Sequence, residues 1–377
     1  MTEKLYYWAE NLENYSSDND TKYDEVIEIK RLNFFIGKNN AGKSRFLRNL
    51  FQTNKGQQLY TSLQFRNLLS FRKKLIQSKN YGERDTYYLQ FLNAVNEIKP
   101  SNIGSAKSNF SSALNSLSRF GQLSGLLSNN NKAQAEASFS QEIEQNLNPI
   151  FTNTKFYIPI LRGMRPVTDQ QNKQPYIERA QKDYFTDTSK FNTENIITGE
   201  CLYHELKIHL LGEPEQREII KNYEEKLSQY FFDNEAVSLI PKHDQDVVNI
   251  KIGSDRQRPI YELGDGLQQA IILTYEAYIK NKDKEGNTET HAFFIEEPEL
   301  HMHAGMVRQL MNFYLNETNH YYFFTTHSNH LLDMADESDQ VMIQKFVKHP
   351  KEGSSNEFEF KIYRCDRDRD LLASLGV

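Results

Sequence analysis

Gly37-Lys38-Asn39-Asn40-Ala41-Gly42-Lys43-Ser44 sets two glycines, a lysine and a hydroxyl at the spacing G-x-x-x-x-G-K-[ST]. Glycines let a backbone wrap closely around phosphate oxygens, with successive N–H groups turned inward. Lys43 would then reach the β- and γ-phosphates, and the Ser44 hydroxyl would ligate Mg²⁺. Gly37, Asn39, Asn40 and Gly42 supply the rest of the cradle. A plain Gly-rich turn is the competing explanation. Against it stand the apolar run "LNFFIG" before the loop and the helix-spaced "GKSRFLRNLF" after it, because a phosphate loop needs strand, loop and helix in that order.

Three further stretches carry groups that suit the same chemistry. In "FFIEEPELHMH" (293–303), two carboxylates directly follow a buried-strand pattern, at the strand edge where α/β sheets bind ligands. Glu296 is expected to hold Mg²⁺ and Glu297 to orient the attacking water; a solvated helix start, where Glu is favourable anyway, is the alternative. In "FFTTHSNHLLD" (323–333), a second buried strand ends at His327, which would approach the γ-phosphate beside Glu297 unless it only caps the next helix. In "ELGDGLQQA" (262–270), Gly264, Asp265 and Gly266 open a helix, an anion-binding arrangement that is also common as a mere turn. His301, His303 and His330 match no zinc spacing.

The elements that must position these groups follow from periodicity. "YDEVIEIKRLNFFIG" reads as two strands, and "KFYIPIL", "HAFFIEE" and "HYYFFTTHS" as buried ones. "AVSLIP" with "DVVNIKI", and "DQVMIQKFV" with "FEFKIYRC", read as strand pairs. Helices are expected at "NIITGECLYHELKIHLL", "PEQREIIKNYEEKLSQYFF", "GDGLQQAIILTYEAYIK", "AGMVRQLMNFYLN" and from "NHLLDMA". Between them, residues 56–150 carry helical apolar stripes in "LQFRNLLSFRKKLIQ", "YYLQFLNAVNEI" and "FSSALNSLSRFGQLSGLL". Alternating strands and helices at both ends imply an α/β fold with a mostly parallel sheet and a helical insertion. The expected division is 1–55, an N-terminal lobe; 56–150, the insertion; and 151–377, a C-terminal lobe.

Composition narrows the classes. At 377 residues, 38% hydrophobic and 25% charged, the chain can bury a large core, and a net charge of −6 argues against a nucleic-acid coat protein. Cys201 and Cys365 are too few and too distant for a disulfide framework, which fits a reducing, cytoplasmic location. The N-terminus shows no secretory pattern and no stretch is apolar enough to span a membrane.

Together the four motifs resemble the head of the ABC-type ATPases, in the branch holding SMC-like, RecF-like and OLD-family proteins, in the order Walker A, helical insertion, signature, Walker B, His switch. The wording GxNNxGKS, EEPExHxH and TTHSxxLLD is similar to OLD-type and related defence ATPases. The resemblance implies an ABC-type P-loop fold and hydrolysis of ATP with Mg²⁺. It implies a homodimer or higher homo-oligomer that sandwiches each ATP between one Walker A loop and the partner's Gly264-Asp265-Gly266. It also implies a nuclease effector with a Toprim domain for anti-phage defence, either a separate protein acting in trans or a domain lying past the end of this sequence. On the same resemblance Arg162, after "YIPIL", is carried over as a nucleotide-contacting residue. Three departures stand out: Glu296 for the usual Asp, Gly264 for Ser, and Ala304 for Pro. OLD-family nucleases continue into the Toprim domain, whereas beyond His327 this sequence shows no carboxylate pair like Glu296–Glu297, so DNA cleavage is expected to need a partner. Two rival readings are a RecF- or SMC-like maintenance ATPase with DNA across the dimer, which Arg66, Arg72, Lys73 and Lys74 could serve although a solvated helix face explains them equally well, and a transporter ATPase subunit, which the insertion and motif wording disfavour.

Overall fold

The computed structural model describes residues 26–52, 154–164, 175–243, 246–283, 285–328, 338–350 and 358–365, short strands at 5–8, 15–17 and 58–61, and singly Asn93, Ser112, Gln141 and Leu331. The chain forms two compact units, one of residues 1–11, 25–29 and 53–152, the other of residues 12–24, 30–52 and 153–377.

In the first unit, β1 (Leu5–Trp8) lies between β3 (Val26–Ile29) and β5 (Gln58–Thr61), antiparallel to both. Strand β5 falls inside the segment read as helical: "QLYT" has its backbone partners in β1, more than 40 residues upstream, and local apolar spacing does not report such pairing. The helical stripes of residues 63–127 lie outside the described residues apart from Asn93 and Ser112, both of them helical.

The second unit is built on a seven-stranded sheet. Its order is β2 (Tyr15–Ser17), β13 (Phe358–Cys365), β12 (Val341–Pro350), β4 (Leu32–Ile36), β11 (Tyr321–Thr325), β10 (Ala292–Glu296) and β6 (Lys155–Ile158). The five strands from β12 to β6 are parallel; β13 runs against β12. Continuous apolar runs such as "LNFFI" and "YYFFT" reflect burial on both faces, the habit of parallel strands covered by helices. On one face Tyr322 and Phe324 meet Tyr314 of α6 (Ala304–Glu317), whose ring stacks on Tyr322 at 4.0 Å, and Phe293 stacks on Tyr322 in turn. On the other, Phe35 and Phe294 meet Phe46 and Phe51 of α1 (Lys43–Gln52).

Four more helices complete the described part of this unit: α2 (Pro175–Tyr184), α3 (Leu202–Leu211), α4 (Pro214–Phe231) and α5 (Asp265–Ile279). Helix α2 was not expected, because "PYIERAQKDY" sits in a polar stretch that hides its few apolar residues. Helix α3 starts later than its periodicity indicates. Ile196 bridges to Tyr157 beside the sheet, and Gly199 takes φ +90° with a Cβ position only 2.9 Å from the Gly163 carbonyl oxygen, so the chain turns there before the helix can begin. The pair β7 (Val237–Lys242) and β8 (Val247–Ile252) forms as expected, extended by a two-residue strand, β9 (Arg258–Pro259). The helix expected from "NHLLDMA" lies outside the described residues apart from Leu331. No described helix is long and apolar enough to cross a membrane.

Candidate functional site at the C-terminal edge of the parallel sheet

Strands β4, β11 and β10 are direct neighbours, and register sets Phe35, Thr325 and Glu296 level with one another. All three strands run the same way. Their C-terminal ends therefore deliver the Gly37–Ser44 loop, His327 and Glu297 to one edge of the sheet.

The loop after β4 is bent by a series of unusual backbone angles: φ +147° at Gly37, +62° at Asn40 and +88° at Gly42. Alternation of left- and right-handed residues turns neighbouring amides to one side, the geometry that cradles anions. Gly37 is required for a second reason: a Cβ there would stand 2.4 Å from the Phe346 carbonyl oxygen of β12. Lys38, Asn39 and Asn40 are exposed, whereas Lys43 is buried. Its Nζ donates to the carbonyls of Gly37 (2.7 Å) and Lys38 (3.2 Å), drawing the loop closed around its ammonium. Burial lowers the Lys43 pKa, and Glu297 and Glu299 act to raise it. Ser44 follows in the first turn of α1.

At the end of β10 the two carboxylates part. Glu296 is wholly buried; Oε1 accepts hydrogen bonds from Arg48 Nε (2.9 Å) and the Tyr157 hydroxyl (2.7 Å), while Oε2 is buried without a partner. Glu297 turns toward solvent with φ +42°, a left-handed conformation that costs a non-glycine residue on the order of 1–3 kcal/mol and persists only when its surroundings enforce it. Here they do: its N–H donates to the Thr325 carbonyl (2.9 Å) and its own carbonyl accepts from Arg162 Nη2 (2.8 Å). The result sets Glu297 Oε1 3.6 Å from His327 Nε2, beyond direct hydrogen-bond range and within reach of one shared water.

Arg162, expected as a nucleotide contact, is engaged with the backbone at the end of β10. It is buried, and Nη1 donates to the carbonyls of Pro159 and Glu296, Nη2 to that of Glu297 and Nε to Gln269 Oε1 of α5. Burial brings its pKa down to about 10, so it stays charged at neutral pH. Four of its five N–H donors are engaged by protein oxygens, so in this structure it clamps the β10 terminus.

The signature residues stand apart from this cluster. Gly264 is the N-cap of α5, and Gly264 and Asp265 are exposed. Nothing lies within 4 Å of a Cβ placed at Gly264, whereas one at Gly266 would meet the His301 carbonyl oxygen at 2.9 Å. Gly266 thus lets α5 approach the turn after Glu297, and the first two residues face outward.

Four contributors escaped the motif reading. Glu299, the third acid of "EEPE", accepts from Thr326 Oγ1 (2.7 Å) and the His327 N–H (2.9 Å), so it holds the switch turn. Arg48 lies four residues after Ser44, a helical spacing that was legible but unassigned. Tyr157 and Gln269 carry no sequence signal, since only strand pairing and helix packing bring them near. His303 caps α6, its Nδ1 accepting from the Met306 N–H at 3.2 Å, and among the described residues no group of three or more potential ligands could hold a metal.

The residues suit a nucleotide with its cation. The Lys43-closed loop offers amides and an ammonium to phosphates. The orphaned Oε2 of Glu296 is a buried acceptor whose isolation costs about 1–3 kcal/mol unless a cation or its water occupies it. Ser44 precedes Arg48 by one helical turn and so lies on the α1 face that meets Glu296.

No curated protein matches the chain. Among solved structures it is similar to the Smc head domain with an extended coiled coil bound to the C-terminal domain of ScpA from Pyrococcus furiosus (10% identity, 99% of each chain covered, TM-score 0.37). It is also similar to an Smc head bound to the C-terminal winged-helix domain of ScpA (11% identity, 98% of each chain, TM-score 0.37). The family model described as "AAA ATPase domain" matches residues 12–332, most of the chain and all four motifs, so the chain belongs to the AAA ATPase domain family and is an ATP-binding, ATP-hydrolysing α/β protein.

Proposed function

We propose that this ATPase is a dimerisation switch, closed by ATP between two copies and opened by hydrolysis, and that it governs a separate nuclease-type effector in anti-phage defence. The observation that carries the switch is the division of the site. Lys43, Glu297 and His327 converge on one sheet edge, while Gly264 and Asp265 face outward on the open end of α5. A helix N-terminus presented to solvent is suited to the γ-phosphate of a nucleotide held by another copy. The defence role is supported by the motif wording, GxNNxGKS, EEPExHxH and TTHSxxLLD, which is similar to that of OLD-type ATPases.

In this reading the Gly37–Gly42 amides and Lys43 hold the β- and γ-phosphates, and Ser44 with Glu296 holds the divalent cation. Mg²⁺ held there would supply positive charge against that of the phosphate oxygens. Glu297 accepts a hydrogen bond from the attacking water and orients it, with the carboxylate fixed by its forced backbone. His327, held by Glu299, donates from the opposite side to that water or to the γ-phosphate.

Glu297→Gln tests the proposal, since an amide can hold a water but does not draw its proton as a carboxylate does. The variant should bind ATP with near wild-type affinity, lose at least about 100-fold in turnover, and accumulate as an ATP-dependent dimer in light scattering. Wild-type turnover would move the catalytic role elsewhere, and a variant that stays monomeric with ATP bound would remove the switch.

A further inference from the structure

Glu296 is gripped from two sides by side chains outside the nucleotide motifs. We propose that Arg48 and Tyr157 are positioning residues for the ATPase reaction, fixing Oε1 of Glu296 so that Oε2 alone is presented to the divalent cation. The inference rests on Glu296 being the cation-holding carboxylate, as proposed above.

A carboxylate offers roughly four acceptor positions over two oxygens. Here both bonds go to one oxygen: Arg48 Nε at 2.9 Å and the Tyr157 hydroxyl at 2.7 Å. The other oxygen, equally buried, has none. An arrangement that served only to neutralise a buried acid would gain more from a two-pronged guanidinium contact spanning both oxygens. One-sided saturation instead leaves a single directed acceptor.

The two holders are themselves held. Tyr157 is fully buried, stacked on Phe51 at 5.3 Å and edge-on to Phe185 at 5.2 Å. Arg48 lies 4.2 Å from the Tyr184 ring of α2, and its Nε also reaches the Tyr157 hydroxyl at 3.2 Å. Sheet register sets Tyr157 opposite Phe294, two residues before Glu296 on the same face, so its hydroxyl reaches Glu296 diagonally. Arg48 and Ser44 share one face of α1, so a single rigid helix places both the serine hydroxyl and the arginine that aims the carboxylate. A freely turning Glu296 would have to be ordered by the cation each time it bound, and that cost would appear as weaker metal affinity.

The test separates metal from nucleotide. Binding of a fluorescent ATP analogue would be measured in EDTA and across a Mg²⁺ titration, with ATPase followed over the same titration. Tyr157→Phe, which keeps the ring and its stacking, and Arg48→Ala should each raise the Mg²⁺ concentration for half-saturation about tenfold, the scale of one lost hydrogen bond to a charged group. Metal-free nucleotide affinity should stay within about twofold, the ordinary scatter for a surface not touched, and Arg48→Lys should recover part of the loss. Glu296→Gln is the control and should shift Mg²⁺ dependence at least as far. If Glu296→Gln shifts it but Tyr157→Phe and Arg48→Ala do not, the positioning role is overturned and the metal role of Glu296 survives. If Glu296→Gln shifts nothing, the metal role itself falls. Should Arg48→Ala fail to fold, Tyr157→Phe decides alone.

Discussion

Arg162 shows how one buried side chain can fix the backbone of a site. Its guanidinium binds the carbonyls of Pro159, Glu296 and Glu297 at 2.8 Å each, which holds the end of β10 in the left-handed turn that aims Glu297. A lysine has the charge but not the planar fork, and it cannot meet those carbonyls together with Gln269. Arg162→Lys should therefore lower kcat about tenfold or more, because small displacements of a catalytic group are expensive. ATP affinity should change little, since the Gly37–Ser44 loop is untouched. A steady-state titration that showed raised KM with intact kcat would return Arg162 to the role of nucleotide contact.

At the level of elements, the stability of the site depends on how α5 is tied to the sheet. His320, just ahead of β11, is almost wholly buried. Its Nδ1 accepts from the His291 N–H (3.1 Å) and its Nε2 faces the Ala277 carbonyl near the end of α5 (2.8 Å). Burial, with lesser repulsion from His291 and Arg31, depresses its pKa to about 3. A histidine that is neutral when folded and titrates near 6.5 when unfolded favours the unfolded chain once protons become available. Its contribution is therefore intact above about pH 6.5 and is lost progressively as pH falls toward 3. Between pH 7 and pH 5 this one residue should cost about 2 kcal/mol of stability. Urea midpoints across that interval would check it: His320→Gln should start lower at pH 7 and show a shallower decline, and parallel slopes would exclude His320 as the source.

For the whole molecule, the proposed sandwich divides each active site between two chains, and complementation follows. Lys43→Ala should abolish ATP binding, and Asp265→Arg, at an exposed position of α5, should bind ATP yet fail to close a dimer. Neither variant should hydrolyse ATP alone. In a mixture, the loop of one and the intact signature of the other would meet in half of the dimers, one competent site in each. An equimolar mixture should then recover about a quarter of the wild-type rate, as two-fold symmetry requires. No recovery, or full activity of Asp265→Arg alone, would mean that each chain hydrolyses ATP unaided.

The sequence alone determined the chemistry to be expected and most of its placement along the chain. A Gly-rich loop between strand and helix, a carboxylate pair after an apolar run and a histidine after another are local patterns, and local patterns survive translation into structure. The apolar runs also announced a buried parallel sheet, because strands covered on both faces cannot alternate. What tertiary structure decided was adjacency. Strand order β4-β11-β10 brings Lys43, His327 and Glu297 to one edge, and nothing in any single segment encodes which strands pair. Adjacency also assigned the unlabelled residues, Tyr157 and Arg48 to Glu296 and Glu299 to the His327 turn, and it set Arg162 against backbone carbonyls. A guanidinium reads in sequence as a charge available to phosphate. Only the fold shows that four of its five donors meet protein oxygens, because a buried polar group must find its partners within the protein.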